Sequence, residues 1–275
     1  MKKILIFLLL LGCAYAQDDY VPYFQGPYFE RFYSPLDFSE LATLEVTLAI
    51  REIVGLMDEV EPSGERPAFT FVSRQSVTTE VHDVLERMYS PFYGGETAEF
   101  RVWLETYYTQ DDLAADMQNY YYDDFYKEAL AGTDDFVDTK DFADVLMMFL
   151  TASYIGANHG FDGTPAEQDL AVRQQIRAAL AQSPRFAALS DEEKQQGALL
   201  LLFFTSSIFR DFNLAIDEST CAANDTMPGP AEATFYCGKT TELDLVGAFA
   251  EGVAQVFGFR VWDFVMTDNG FEFGN

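Results

Sequence analysis

Ser190-Asp191-Glu192-Glu193-Lys194-Gln195-Gln196-Gly197-Ala198-Leu199-Leu200-Leu201-Leu202-Phe203-Phe204 is the stretch on which the fold turns. Ser190 and Glu193 stand in capping-box spacing: the serine oxygen can accept from the amide three residues on, while the glutamate reaches back to the serine amide. Acids crowd the first turn, where the helix dipole favours negative charge. From Leu199 to Phe204 the chain is apolar on every side, which marks a helix surrounded by other helices. The run is well short of the ~20 residues that a membrane span needs, so it predicts core.

Outward from this helix the same signals recur. Upstream, Thr164-Pro165 with Glu167 is a helix start, and Ser183-Pro184 breaks that helix after about Gln182. Thr139 to Ala157 reads as helix, apolar nearly all round at Val145 to Leu150. Thr97 to Tyr108 and Asp111 to Ala131 are helical in pattern, the second with a stripe of Leu113, Met117, Tyr121 and Phe125 and with Gly132 as its C-cap. Val77, Val81, Val84, Leu85 and Met88 share one helical face, ended by Pro91 and Gly94-Gly95.

Asp37 to Val60 begins with Asp37 and Glu40 in capping-box spacing and carries Val46, Ile50, Ile53, Val54 and Met57 at helical intervals, although Thr43 to Ile50 also alternates as a strand would. Ala68 to Val72 is a short extended piece. Downstream, 217–241 is expected to be a surface excursion with Pro228-Gly229-Pro230 at its tip, followed by a last helix from Glu242 to Phe257. Arg260 to Phe273 then forms two short strands around Asn269-Gly270. The expected fold is mainly α: a helical bundle-like domain over 38–275 with a small C-terminal β-hairpin and an extended aromatic N-terminal arm.

The N-terminus predicts an address. Lys2-Lys3, the apolar run Ile4 to Leu11 and Ala14-Tyr15-Ala16 have the form of a cleaved signal peptide over 1–16, giving a secreted or periplasmic protein. Leu10-Leu11-Gly12-Cys13 also fits a lipobox, which would instead anchor the chain as a lipoprotein through Cys13. The arm, 17–37, sets Pro22, Pro27 and Pro35 among Tyr20, Tyr23, Phe24, Tyr28, Phe29, Phe32 and Tyr33; proline at that spacing forbids regular helix. In an oxidising compartment Cys221 and Cys237 read as a disulfide, contributing roughly 3 kcal/mol through loop closure.

Composition bounds function more than it reveals it. A hydrophobic fraction of 49% belongs to a globular chain, and a net charge of −28 excludes nucleic acid as a partner and disfavours anionic membrane surfaces. Beyond the leader the only lysines are Lys127, Lys140, Lys194 and Lys239. Such a surface fits either a solvated acidic face or a saline setting in which salt screens the self-repulsion.

Catalytic motifs are sparse. His82 and His159 are the only histidines, too few for a multi-histidine zinc site; His82 reads as a surface residue beside Asp83 and Glu86, and His159 as a complement to a helix C-terminus. There is no G-x-S-x-G elbow, phosphate loop or H-E-x-x-H. Among the clustered acids Asp134, Asp135, Asp138, Asp141 and Asp144, the last three recur every third residue and are the candidate Ca²⁺ ligands, against the plainer reading of acids stabilising a helix N-terminus. The tyrosine run Tyr107, Tyr108, Tyr120, Tyr121, Tyr122 and Tyr126 is a candidate recognition surface. Asn224-Asp225-Thr226 matches a glycosylation acceptor.

Ile176 to Gln196, reading I-R-A-A-L-A-Q-S-P-R-F-A-A-L-S-D-E-E-K-Q-Q, resembles the core of a family of exported bacterial proteins known as a domain of unknown function; Phe142 to Tyr154 and Met266-Thr267-Asp268-Asn269-Gly270-Phe271 resemble its flanks. The resemblance covers about the C-terminal half and implies a mostly helical exported bacterial domain with no assigned catalytic residues. The Cys221 to Cys237 excursion departs from that pattern. The expected function is thus non-enzymatic binding of a protein or small molecule at the cell envelope or outside the cell. The alternative is an acid-dependent hydrolase with a carboxylate site.

Overall fold

In the computed structural model, which describes residues 36–60, 69–91, 93, 95–108, 138–158, 166–218 and 240–273, the helices are α1 (Glu45–Met57), α2 (Gln75–Tyr89), α3 (Ala98–Tyr107), α4 (Phe142–Asn158), α5 (Ala166–Gln182), α6 (Pro184–Ala188), α7 (Asp191–Glu218) and α8 (Thr240–Val256). A two-stranded antiparallel hairpin, β1 (Phe264–Thr267) and β2 (Gly270–Phe273), closes the described chain. The fold is mainly α, as the capped apolar segments predict.

The two segments without a polar face lie at the centre. α4 packs on α5, α7 and α8, and Phe142 to Ser153 is buried throughout. α7, 28 residues long, opens on the expected capping box: Ser190 Oγ accepts from the Glu193 amide at 3.2 Å and Glu193 Oε2 accepts from the Ser190 amide at 2.7 Å. Gly197 lets α7 pass against α1, since a Cβ there would stand 2.2 Å from Val46 Cγ2. Among the described residues, no helix is long and apolar enough to cross a membrane.

Several local expectations change. Asp37 and Glu40 do not make a capping box. Asp37 Oδ1 accepts from Ser39 N, Glu40 takes a bidentate pair with Arg87 (2.7 Å twice), and a 3-10 turn over Leu41–Thr43 precedes α1. The guanidinium is the stronger partner for that carboxylate. The strand alternative for Thr43 to Ile50 is replaced by helix from Glu45, with Val46, Ile50, Ile53, Val54 and Met57 buried as a helical stripe. Ser183-Pro184 breaks α5 but also starts α6, where Ser183 Oγ accepts from Phe186 N at 3.1 Å. Residues 69–71 are extended and lie antiparallel to Lys140–Phe142, with an isolated bridge at Thr70 and Asp141.

The hairpin turn is centred on Asp268-Asn269, one residue earlier than predicted, with Gly270 following it at φ +106° and paired to Thr267. Glycine is needed there because a side chain is strained at that φ and a Cβ would meet Gln175 Oε1 at 2.6 Å. Gln175 of α5 treats β2 as a neighbouring strand would: its Oε1 accepts from Phe271 N and its Nε2 donates to Phe271 O, both at 2.9 Å, with a further bond to Met57 O at 2.8 Å. Gln195 of α7 repeats the device on Arg74, accepting from its amide at 2.7 Å and donating to its carbonyl at 2.9 Å. At the end of α8, Phe259 N to Ala254 O and Gly258 N to Gln255 O make a Schellman closure, and Arg51 donates twice to Val256 O.

The leader 1–16 with Cys13, the arm up to residue 35, Asp111 to Ala131 with its tyrosines, Asp134, Asp135, His159, the Thr164-Pro165 start, Asn224 and the Cys221 to Cys237 excursion lie outside the described residues.

Candidate site at a buried carboxylate and guanidinium cluster

The three candidate Ca²⁺ ligands sit at the start of α4. Asp141 takes the N-cap position, its Oδ1 accepting from Ala143 N at 2.9 Å, and Asp144 lies in the first turn, so both acids serve the helix N-terminus. Asp138 is exposed, and its Oδ1 accepts from Lys140 N at 2.8 Å. What faces the two buried carboxylates is a pair of arginines one turn apart on α5. Arg173 grips Asp144 with Nε and one terminal nitrogen, each at 2.7 Å; Arg177 donates to Asp144 Oδ1 at 2.9 Å and Asp141 Oδ2 at 2.8 Å. Asp138 contributes its main-chain amide to Asp144 Oδ2 at 2.9 Å rather than its carboxylate.

The convergence expected from the every-third-residue spacing is therefore present for Asp141 and Asp144, and guanidinium stands where a cation would. Among the described residues, no group of three or more His, Cys, Asp or Glu side chains is placed to hold a metal ion. The Asp144 side chain is 0% exposed and that of Arg177 7%. Burial pushes the Asp144 carboxyl above the ordinary carboxylate range, against the pull of Arg173. Two carboxylates and two guanidiniums cancel in charge, and the set joins α4 to α5 at a point where removing one partner would leave an uncompensated buried charge.

A second buried acid is Glu251 on α8. Burial raises its pKa as well, opposed first by the bond from Gln255. Its oxygens accept from Gln255 Nε2 and from Val261 N, both at 2.8 Å, which ties the 3-10 turn Val261–Asp263 to the helix. Both raised carboxyls are thus closed on their own chain, each in its own shell.

His82 is buried, not a surface residue as the neighbouring acids suggest, and its Nε2 lies 2.8 Å from Tyr108 O. Thr78, Val81, His82, Leu85, Tyr108, Leu199 and Phe203 leave a space of about 10 Å³ between them, no more than one water would fill. From there an aromatic series runs toward the surface through α3: Phe203 to Tyr108 at 5.0 Å, Tyr108 to Trp103 at 4.5 Å, Trp103 to Phe100 at 5.8 Å, and Phe100 to Tyr89 and Tyr93 at 4.9 and 5.3 Å. Trp103 and Tyr93 are half-buried. Tyr108 of the predicted tyrosine surface is part of this series and buried; Tyr107 ends α3.

Sequence reasoning missed Arg173, Arg177, Gln175, Gln195 and Glu251. Gln175 had a visible signal, since it falls on the apolar stripe of Val172, Ile176 and Ala179, where a polar residue needs a partner. No family model, curated protein or solved structure matches the chain.

Proposed function

We propose that this is an exported protein of the bacterial family that Ile176 to Gln196 resembles, that it carries a Cys221–Cys237 disulfide, and that it acts by binding a protein or small molecule rather than by catalysis. One observation carries the non-catalytic part of this reading. Among the described residues, Asp144 and Glu251 are the carboxyls that burial raises, and Asp144 is fully enclosed, with both oxygens committed to Arg173, Arg177 and the Asp138 amide. A general acid must come within hydrogen-bond reach of its substrate, and a carboxylate so enclosed holds helices instead.

The experiment is to purify the exported protein, assay glycoside, ester and peptide hydrolysis between pH 4 and pH 8, and identify covalent adducts after cross-linking in the source cells. A saturable partner with no turnover supports binding. Turnover that disappears in Asp144→Asn or Glu251→Gln, while the circular dichroism spectrum is kept, would establish the hydrolase instead.

A further inference from the structure

Resting on the binding role proposed above, we infer that the outer edge of β1 is where a partner docks, adding an extended segment that bears lysine or arginine to the hairpin as a third strand. The two edges of the hairpin differ. On β2, Phe271 N and O turn outward and are both taken by Gln175. Met266 pairs with Phe271, and directly opposed residues of an antiparallel ladder turn their main-chain groups either toward each other or both outward. Met266 N and O therefore turn outward on the far edge, where no strand or side chain takes them among the described residues. The Met266 side chain is buried in the core and anchors the strand, while Val265 on the opposite face is 58% exposed.

Proteins ordinarily guard such an edge with a charge, a proline or a bulge. Phe264-Val265-Met266-Thr267 has no charged residue and no proline, and its register with β2 is unbroken over four pairs. An added strand would bond to the main chain of Met266 and lay a side chain against Val265, the two elements of strand addition. Charge selects the occupant. Asp263 precedes β1, Asp268 follows it, and Glu272 stands opposite Val265 on the same face; all three are exposed. The cation beside them, Arg260, lies 3.5 Å from Glu251 and 3.9 Å from Asp263 and is paired there. A second copy would bring the same acids and an equal net charge of −28, whereas a strand bearing lysine or arginine is drawn to them.

The test titrates a fluorescent, end-blocked peptide of alternating lysine and valine into the full exported chain at physiological ionic strength and follows hydrogen exchange at the Met266 amide. Saturable binding that slows exchange at Met266 is expected, and a glutamate and valine counterpart should not bind. Val265→Lys installs the guard that β1 lacks and should weaken binding about tenfold. Val102→Lys makes the same charge change at a valine 62% exposed on α3 and should leave binding as in the parent. Absent binding, binding without protection of Met266, or equal weakening by both variants overturns the assignment. A Met266 amide already protected in the free monomer, or protected through self-association, overturns it too. A natural partner cross-linked to another surface sinks the β1 site alone and leaves the binding role standing, whereas turnover in the hydrolysis assays sinks that role without touching the peptide result.

Discussion

Replacing Gln175 by methionine, which keeps the side-chain length, removes three hydrogen bonds at once. Met57 O, Phe271 O and Phe271 N lose their partner in a place where Gln175 is 5% exposed and Phe271 2%. A buried polar group left unpaired costs about 1–3 kcal/mol, and orphaned carbonyls are tolerated better than an orphaned amide. The expected loss is therefore about 3–5 kcal/mol, a large share of the 5–15 kcal/mol typical of a domain. Local release limits it, because the hairpin can leave α5 once docking costs more than burying Phe271 and Met266 returns. Gln175→Glu separates bond loss from charge. Its carboxylate still accepts from Phe271 N but faces two carbonyl oxygens, so its pKa in the folded protein must rise. By linkage, that variant holds its stability at acid pH and loses it as pH climbs through the raised value, whereas Gln175→Met shows no such slope. Urea titrations followed by circular dichroism at pH 4.5 and pH 7, with hydrogen exchange at the Phe271 amide, read both effects. An unchanged midpoint and unchanged Phe271 protection in Gln175→Met would refute the reasoning.

Gly197→Ala gains about 1 kcal/mol of helix propensity but drives a Cβ to 2.2 Å from Val46 Cγ2; a net loss of about 1–3 kcal/mol is expected, relieved when Val46→Ala is added, and simple additivity of the two changes by urea denaturation would count against the close crossing. Arg177→Met strips a partner from both Asp141 and Asp144 and should cost about 3–5 kcal/mol, with much of it recovered when both aspartates become asparagine; thermal unfolding of the set checks this. Glu251 titrates above its ordinary value in the folded chain, so its contribution is present at low pH and lost as pH rises through the folded pKa; the stability of Glu251→Gln relative to the parent should climb from pH 4 to pH 8, and a fall would contradict the assigned burial. With a net charge of −28, Tm should rise between 10 mM and 1 M NaCl as screening weakens self-repulsion, and a salt-independent Tm would place the acids too far apart to matter.

What the sequence discloses about this molecule divides along the range of the interaction. Ser190 and Glu193 are three residues apart and find each other as expected, and the apolar run after them is buried because it has no other face to offer. Asp37 and Glu40 carry the same short-range signal and fail, since Arg87, distant in sequence, offers Glu40 a charged bidentate partner. Asp141 and Asp144 converge as their spacing requires, but the spacing cannot tell whether calcium or arginine fills the gap, because the answer lies on another helix about 30 residues away. His82 is buried against its surface-like sequence setting for a different reason. α2 meets the bundle over two stripes rather than one, and Thr78, His82, Leu85 and Tyr89 form the second, a pattern obscured by the acids at positions 83 and 86. The buried glutamines extend the same lesson to the fold's ends. Gln175 and Gln195 each follow or precede another glutamine, and nothing in Gln174-Gln175 or Gln195-Gln196 says which one turns inward until the apolar stripe beside it is traced. Each inward glutamine satisfies the main chain of a segment that no further strand pairs with among the described residues, the outer edge of β2 and the start of α2. That is why a hairpin too short to stand alone in water keeps its place on a helical bundle.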